Sequence, residues 1–183
     1  MPVPRLDPDR TALLVIDLQK KLLPAIDQAP ALLRRAGRLI DGFRAMRLPV
    51  LLTEQYPKGL GPTASPILKH VGAPAVHVEK LRFSACVDAV MNGLAERGVR
   101  SVVVCGVEAH VCVQQTVLDL IDAGYVTAVA LDAVGSRRAS DRDAAVLRMT
   151  GAGALPATVE SVLFELTRDA GSDRFKLIRP IIT

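Results

Sequence analysis

The sequence is poor in aromatic residues and has no long apolar run. Among its 183 residues there is no Trp, and there are only two Tyr and four Phe. Half of the residues are nonetheless hydrophobic, which excludes a disordered chain. The core must therefore consist mainly of Leu, Val, Ile and Ala, as is common in buried parallel sheets. The longest apolar runs are far shorter than the ~18 residues of a membrane span, so we expect no contact with a membrane.

Cysteines are few, and no metal-binding pattern is present. Cys86, Cys105 and Cys112 are an odd number of thiols without the spacing of a zinc site, and the three histidines form no HxH or HExxH motif. We therefore expect neither a metal nor another cofactor. Residues 1–8 contain charges and prolines where a secretory signal would be apolar. A cytoplasmic location with reduced thiols follows as the simplest expectation.

The chain also lacks runs of like charge. Its net charge is +4 and its pI about 9.2, but basic and acidic residues alternate, as in residues 137–143 (RRASDRD). A nucleic-acid-binding surface would need a basic stripe interleaved with aromatic residues. We therefore expect no nucleic acid as partner.

Short β-branched runs alternate with longer segments of helical period, which predicts an α/β fold. The predicted strands cover residues 11–16, 49–53, 75–79, 101–105, 126–131 and 155–158. The predicted helices cover 31–47, 88–97, 111–123, 141–150 and 160–168, with one or two further turns between 172 and 181, and residues 54–65 are predicted to be loop. One domain over residues 1–183 is expected, with a three-layer, six-stranded, mostly parallel sheet, helices on both faces and a Rossmann-like topology.

Three reactive side chains lie where such a sheet binds its ligands, beyond the carboxyl ends of the strands. Asp17 directly follows the first predicted strand, Lys80 follows the third, and Cys112 lies near the helix after the fourth. A thiol at the start of a helix is expected to have a pKa below its usual ~8.5. A nearby carboxylate can take the thiol proton, and an ammonium can balance the resulting charges.

Structural roles remain open for all three residues at this stage. Cys112 could be a small apolar residue of the core, Asp17 could cap the turn that follows it, and Lys80 could be solvated at a strand end. Cys86 and Cys105 are interpreted as packed residues without a catalytic role.

Residues 106–113 (GVEAHVCV) resemble the nucleophile segment of the isochorismatase-like cysteine hydrolases, whose signature is close to GVETHVCV. Residues 14–19 (LVIDLQ) and 79–84 (EKLRFS) are similar to the other two catalytic segments of that family, and the resemblance covers the chain from Thr11 to about Pro180. Residues 53–61 (TEQYPKGLG) resemble the subgroup of isochorismatase domain-containing proteins. Nicotinamidases of the same superfamily carry metal-binding residues there, so this departure implies that no metal is bound.

The resemblance implies a catalytic triad of Asp17, Lys80 and Cys112. It also implies an oxyanion hole formed by the backbone N–H groups of Glu108 and Cys112, and a cis peptide bond between Val107 and Glu108. The expected activity is hydrolysis of a small amide or related acyl substrate through a thioester on Cys112. A homo-oligomer is expected, as is usual in the family.

Leu18, Tyr56 and Phe83 are the predicted walls of the substrate pocket, with core packing as the alternative. Two other functions stay open. An isochorismatase-type enzyme hydrolyses a vinyl ether by proton transfer from the aspartate and needs no thiol. A catalytically idle fold could instead serve as an interaction module, since a fold by itself does not prove activity.

Overall fold

Six parallel strands form one central sheet in the computed structural model, which describes residues 3–72 and 76–182. They are β1 (Thr11–Ile16), β2 (Val50–Gln55), β3 (Val76–Lys80), β4 (Ser101–Val107), β5 (Val126–Gly135) and β6 (Leu155–Ala157). Their order across the sheet is β3-β2-β1-β4-β5-β6, and every pair is parallel. The predicted α/β fold with its six-stranded parallel sheet is confirmed.

Helices cover both faces of the sheet, which gives the expected three layers. In chain order they are α1 (Ala29–Ala45), α2 (Pro57–Leu60), α3 (Ser65–Val71), α4 (Asp88–Glu96), α5 (Gln114–Asp122), α6 (Ala139–Gly151), α7 (Val159–Thr167) and α8 (Asp173–Ile182). One hydrophobic cluster contains the buried residues of α1, α3, α7 and α8. A second cluster on the opposite face contains those of α4, α5 and α6. No helix in the described ranges combines the length and apolarity needed to cross a bilayer.

Successive side chains of β1 project alternately into the two hydrophobic clusters. Leu13 and Val15 lie in the first cluster, whereas Leu14 and Ile16 lie in the second, and all four are fully buried. A central strand covered on both faces must be apolar at every position, which is why it appears in the sequence as an unbroken hydrophobic run.

Gly106 allows β1 and β4 to approach closely at the carboxyl edge of the sheet. It pairs with Ile16 and has a φ of +121°, and a Cβ atom added to it would lie 2.0 Å from the carbonyl oxygen of Ile16. Only glycine fits this contact. The contact sets the separation between Asp17, which follows β1, and the segment that follows β4.

Several predicted boundaries are wrong because tertiary pairing extends the strands. Strand β2 continues to Gln55 through its pairing with β3, and Pro57–Leu60 is a short helix rather than loop. Strand β5 continues to Gly135, four residues beyond its apolar run, because it still pairs with the end of β4.

The helix α3 was not predicted, and α8 is longer than the expected one or two turns. The predicted start of the third strand, residue 75, lies outside the described residues.

Candidate active site

Asp17 and Lys80 form a buried ion pair at the carboxyl edge of the sheet. The Lys80 Nζ atom lies 2.7 Å from Asp17 Oδ2, and neither side chain is exposed. The other carboxylate oxygen, Oδ1, accepts a hydrogen bond from Thr53 Oγ1 at 2.8 Å. The three residues come from the ends of the adjacent strands β1, β2 and β3, so the sheet order brings them together.

The Lys80 ammonium has further acceptors around it. It donates to Gln55 Oε1 at 2.9 Å and to the Phe83 carbonyl oxygen at 3.0 Å, with the Arg82 carbonyl oxygen at 3.4 Å. An ammonium group carries three N–H donors, and each of them has a partner here. The alternative of a solvated lysine at the end of a strand is therefore wrong.

Cys112 lies in a π-helical turn, Ala109–Val113, that leads into α5. Its thiol interacts with both the Asp17 carboxylate and the Lys80 ammonium, and only 6% of the residue is exposed. Its carbonyl oxygen accepts from Thr116 Oγ1 at 2.6 Å, and Thr116 Oγ1 also accepts from the Ala85 N–H at 2.8 Å. The structure thus brings the three predicted triad side chains together, as the order of the strands requires.

The expectation of a lowered pKa for Cys112 is wrong. Burial, followed by the negative charge of Asp17, raises the pKa of the Cys112 thiol to about 12, and Lys80 opposes this only in part. A thiolate in the second hydrophobic cluster would lose its hydration. This desolvation raises the pKa by more than the nearby helix start lowers it. The thiol is therefore protonated at neutral pH.

The other two cysteines are packed residues, as the sequence indicates. Burial raises the pKa of Cys105 to about 12 and that of Cys86 to about 11. Cys105 is fully buried at the end of β4, in the cluster on the opposite face of the sheet from Cys112.

The peptide bond between Val107 and Glu108 is cis. The Glu108 carbonyl oxygen accepts the backbone N–H groups of Val111 and Val113, at 3.0 and 3.2 Å, which starts the π-helical turn. Its carboxylate accepts from the backbone N–H and the Nε of Arg137, at 3.2 and 2.9 Å. Sequence reasoning did not find this partner, because Arg137 follows β5 and is distant along the chain.

The predicted pocket walls have different environments. Tyr56 and Phe83 are about half exposed, and the backbone of each contacts Lys80. Leu18 has no exposed surface and packs in the first hydrophobic cluster, and its role as a wall of the substrate pocket stays a prediction. The strand alternation ends at Asp17, which has a φ of +51°, and Leu18 joins the cluster that contains Leu13 and Val15. Within the described part of the chain, no group of three or more His, Cys, Asp or Glu side chains could hold a metal ion.

Comparisons with known proteins give consistent results. The isochorismatase domain profile matches residues 11–161. The mouse isochorismatase domain-containing protein 2A is 40% identical over 180 residues, which are 97% of this chain and 85% of the relative. The solved structure of MAR1 ribonuclease from Caenorhabditis elegans has a TM-score of 0.94 and 36% identity, covering 98% of this chain and 92% of that one.

A third similar protein is the YcaC gene product of Escherichia coli, described as an octameric hydrolase of unknown specificity. Its TM-score is 0.91 and its identity 25%, covering 100% of this chain and 91% of that one. The matched profile spans most of the chain. The chain belongs to the isochorismatase-like hydrolase family.

Proposed function

We propose that the protein hydrolyses a small amide or related acyl substrate through a thioester on Cys112. The observation that carries the proposal is the convergence of three side chains: the Cys112 thiol interacts with a carboxylate and an ammonium that are themselves paired at 2.7 Å. A base, a cation and a nucleophile in one buried site are the components of covalent acyl transfer.

Asp17 is the general base of the proposed mechanism. Because the thiol is protonated at rest, Asp17 takes its proton as the sulfur attacks the carbonyl carbon. Thr53 holds the carboxylate in place through its hydrogen bond to Oδ1. Lys80 balances the negative charge that is shared between the carboxylate and the forming thiolate.

The attack converts the carbonyl into a tetrahedral oxyanion, to which the backbone N–H groups of Glu108 and Cys112 donate. When the oxyanion collapses, the C–N or C–O bond breaks, and Asp17 returns its proton to the leaving group. The products of this half-reaction are the free amine or alcohol and a thioester on Cys112. Asp17 then deprotonates a water molecule, which attacks the thioester and releases the carboxylic acid and the thiol.

Tyr56 and Phe83 border the site and contact the substrate. The enzyme works without a metal or other cofactor, in the cytoplasm and as a homo-oligomer. It does not cleave RNA. A monomeric mass in light scattering, or cleavage of a single-stranded RNA oligonucleotide by the wild-type enzyme but not by Cys112→Ala, would contradict these points.

Intact-mass spectrometry tests the covalent step. The wild-type chain, Cys112→Ala and the control Cys86→Ala are incubated with a panel of small amides and esters. We expect an acyl adduct on wild type and on Cys86→Ala, and none on Cys112→Ala, with hydrolysis lost in parallel. Hydrolysis that survives in Cys112→Ala would overturn the proposal. Full turnover of isochorismate by the same variant would favour the vinyl-ether mechanism, which needs only the aspartate.

A further inference from the structure

Gln55 is a buried amide that the proposed mechanism does not use. It is the last residue of β2, it pairs with Lys80 across the β2–β3 ladder, and only 9% of it is exposed. Neighbouring residues of a parallel pair project from the same face of the sheet, so the two side chains are adjacent. Burial of an amide requires partners for its polar atoms, and those partners identify what the residue does.

The orientation of the amide is determined by its two partners. Gln55 Oε1 accepts from Lys80 Nζ at 2.9 Å, and Gln55 Nε2 donates to the Leu81 carbonyl oxygen at 2.7 Å. The reversed amide would place N–H donors against the ammonium and an acceptor against a carbonyl oxygen, which are two repulsive contacts. The amide therefore presents only its oxygen to Lys80.

The main chain of Gln55 is held as firmly as its side chain. Its N–H donates to Gln19 Oε1 at 2.8 Å, and its carbonyl oxygen accepts from Gln19 Nε2 at 2.9 Å. Gln19 Nε2 also donates to the Gly61 carbonyl oxygen at 2.6 Å, and Gln19 is fully buried. This double hydrogen bond joins the end of β2 to the segment that contains Asp17.

Lys80 has a long, rotatable stem, so the position of its ammonium depends on its acceptors. Across residues 3–72 and 76–182, the side chains that accept from it are Asp17 and Gln55. Without Gln55 the ammonium would keep the Asp17 carboxylate and the carbonyl oxygens of Arg82 and Phe83 as acceptors. Gln55 adds a neutral side-chain acceptor from β2, which restricts the positions open to the cation.

We propose that Gln55 is a positioning residue that holds the Lys80 ammonium between Asp17 and the thiol of Cys112. The inference rests on the proposed function of this site and adds a residue to it. Gln55 touches neither the substrate nor the reacting atoms; it acts through Lys80. Gln19 supports it by holding its backbone.

The neighbouring charges do not share this role. Glu54 precedes Gln55 and projects from the other face of β2, where its Oε1 accepts from Thr63 Oγ1 at 2.6 Å and lies 3.2 Å from His77 Nε2. The charged groups that act on the thiol of Cys112 are Asp17 and Lys80. A neutral substitution at position 55 therefore changes the site through the placement of Lys80.

The test compares Gln55→Met and Gln55→Asn with the control Gln115→Met. Met keeps the approximate volume but removes the acceptor, and Asn keeps an amide that is too short to reach Lys80. Gln115 is exposed on α5, so its variant makes the same chemical change outside the network. The rate of alkylation of Cys112 by iodoacetamide is measured between pH 8 and about 11 by peptide mapping, with thermal unfolding and hydrolysis alongside.

For both variants we expect alkylation about tenfold slower than in wild type at each pH, because a displaced Lys80 no longer offsets the increase in the thiol pKa caused by burial and Asp17. We also expect a loss of hydrolysis of the same order, with Gln115→Met unchanged. Wild-type rates and pH profile in the Gln55 variants would overturn the inference, as would a lower melting temperature with an unchanged profile. If hydrolysis survives in Cys112→Ala, the proposed function fails instead, so the two failures are distinguishable.

Discussion

Lys80 Nζ lies 2.7 Å from Asp17 Oδ2 although the two residues are 63 positions apart, and both side chains are fully buried. Their proximity follows from the strand order, in which β1 and β3 are separated only by β2. A buried pair of opposite charges is stable only as a pair, because either charge alone would lack both water and a partner. The site therefore holds a carboxylate and an ammonium out of water.

Removing one member of the pair will destabilise the fold. Lys80→Met leaves the Asp17 carboxylate with neutral side-chain partners, the Thr53 hydroxyl and the Cys112 thiol, and we expect the free energy of unfolding to fall by about 3–5 kcal/mol. Urea unfolding at pH 7 measures the change, with Lys58→Met, an exposed lysine, as the control. The double variant Asp17→Asn/Lys80→Met should recover much of the stability but no activity. Equal stability of Lys80→Met and wild type would contradict the buried pair.

The thiol of Cys112 will react with alkylating reagents only through its small thiolate fraction. Since burial and Asp17 raise its pKa to about 12, the alkylation rate should increase about tenfold per pH unit from pH 7 to 10 without a plateau. Iodoacetamide labelling followed by peptide mapping gives this profile. In Asp17→Asn one of the two causes of the shift is removed, so labelling at a given pH should be faster. A plateau already reached near pH 8 would show a preformed thiolate and would require a different base.

Cys105 will make the fold less stable at alkaline pH. Burial raises its pKa from 9.0 to about 12 in the folded state. The unfolded chain therefore loses the thiol proton first, and the contribution of Cys105 to the free energy of unfolding is fully present below pH 9 and is lost as pH rises toward 12. The loss amounts to about 1.4 kcal/mol per pH unit within that window. Urea unfolding of wild type and Cys105→Ala at several pH values between 8 and about 10.5 isolates it, because other titrating groups cancel in the difference. A pH-independent difference between the two proteins would exclude this linkage.

Gly106→Ala should disrupt the site through the sheet. The added methyl group would meet the Ile16 carbonyl oxygen at 2.0 Å, so β1 and β4 must separate and move Asp17 away from Cys112. We expect a loss of several kcal/mol or failure to fold, against about 1 kcal/mol for Gly98→Ala, which has a φ of +60° but no neighbour within 4 Å. Thermal unfolding of both variants decides the point. Similar melting temperatures would mean that the close contact does not constrain the strands.

Much of the fold could be predicted because its signals are local. The buried strands are short β-branched runs, and β1 is found at the residues expected, Thr11–Ile16. Boundaries failed where a strand continues beyond its apolar run because a neighbour still pairs with it, as in β5. The site, too, was predicted only in part. Asp17 and Lys80 were visible at strand ends, whereas Gln55 could not be given its role because the partner that defines it is on another strand.

The sequence by itself determined the class of fold and which reactive groups stand at the carboxyl ends of the strands, since hydrophobic periodicity and chain order are properties of the linear chain. Only the tertiary structure decided which groups meet, that Gln55 and Thr53 complete the polar network, and that the pKa of Cys112 is raised rather than lowered. The reason is that desolvation and charge pairing depend on distances between residues far apart in the chain, which packing of the whole sheet sets.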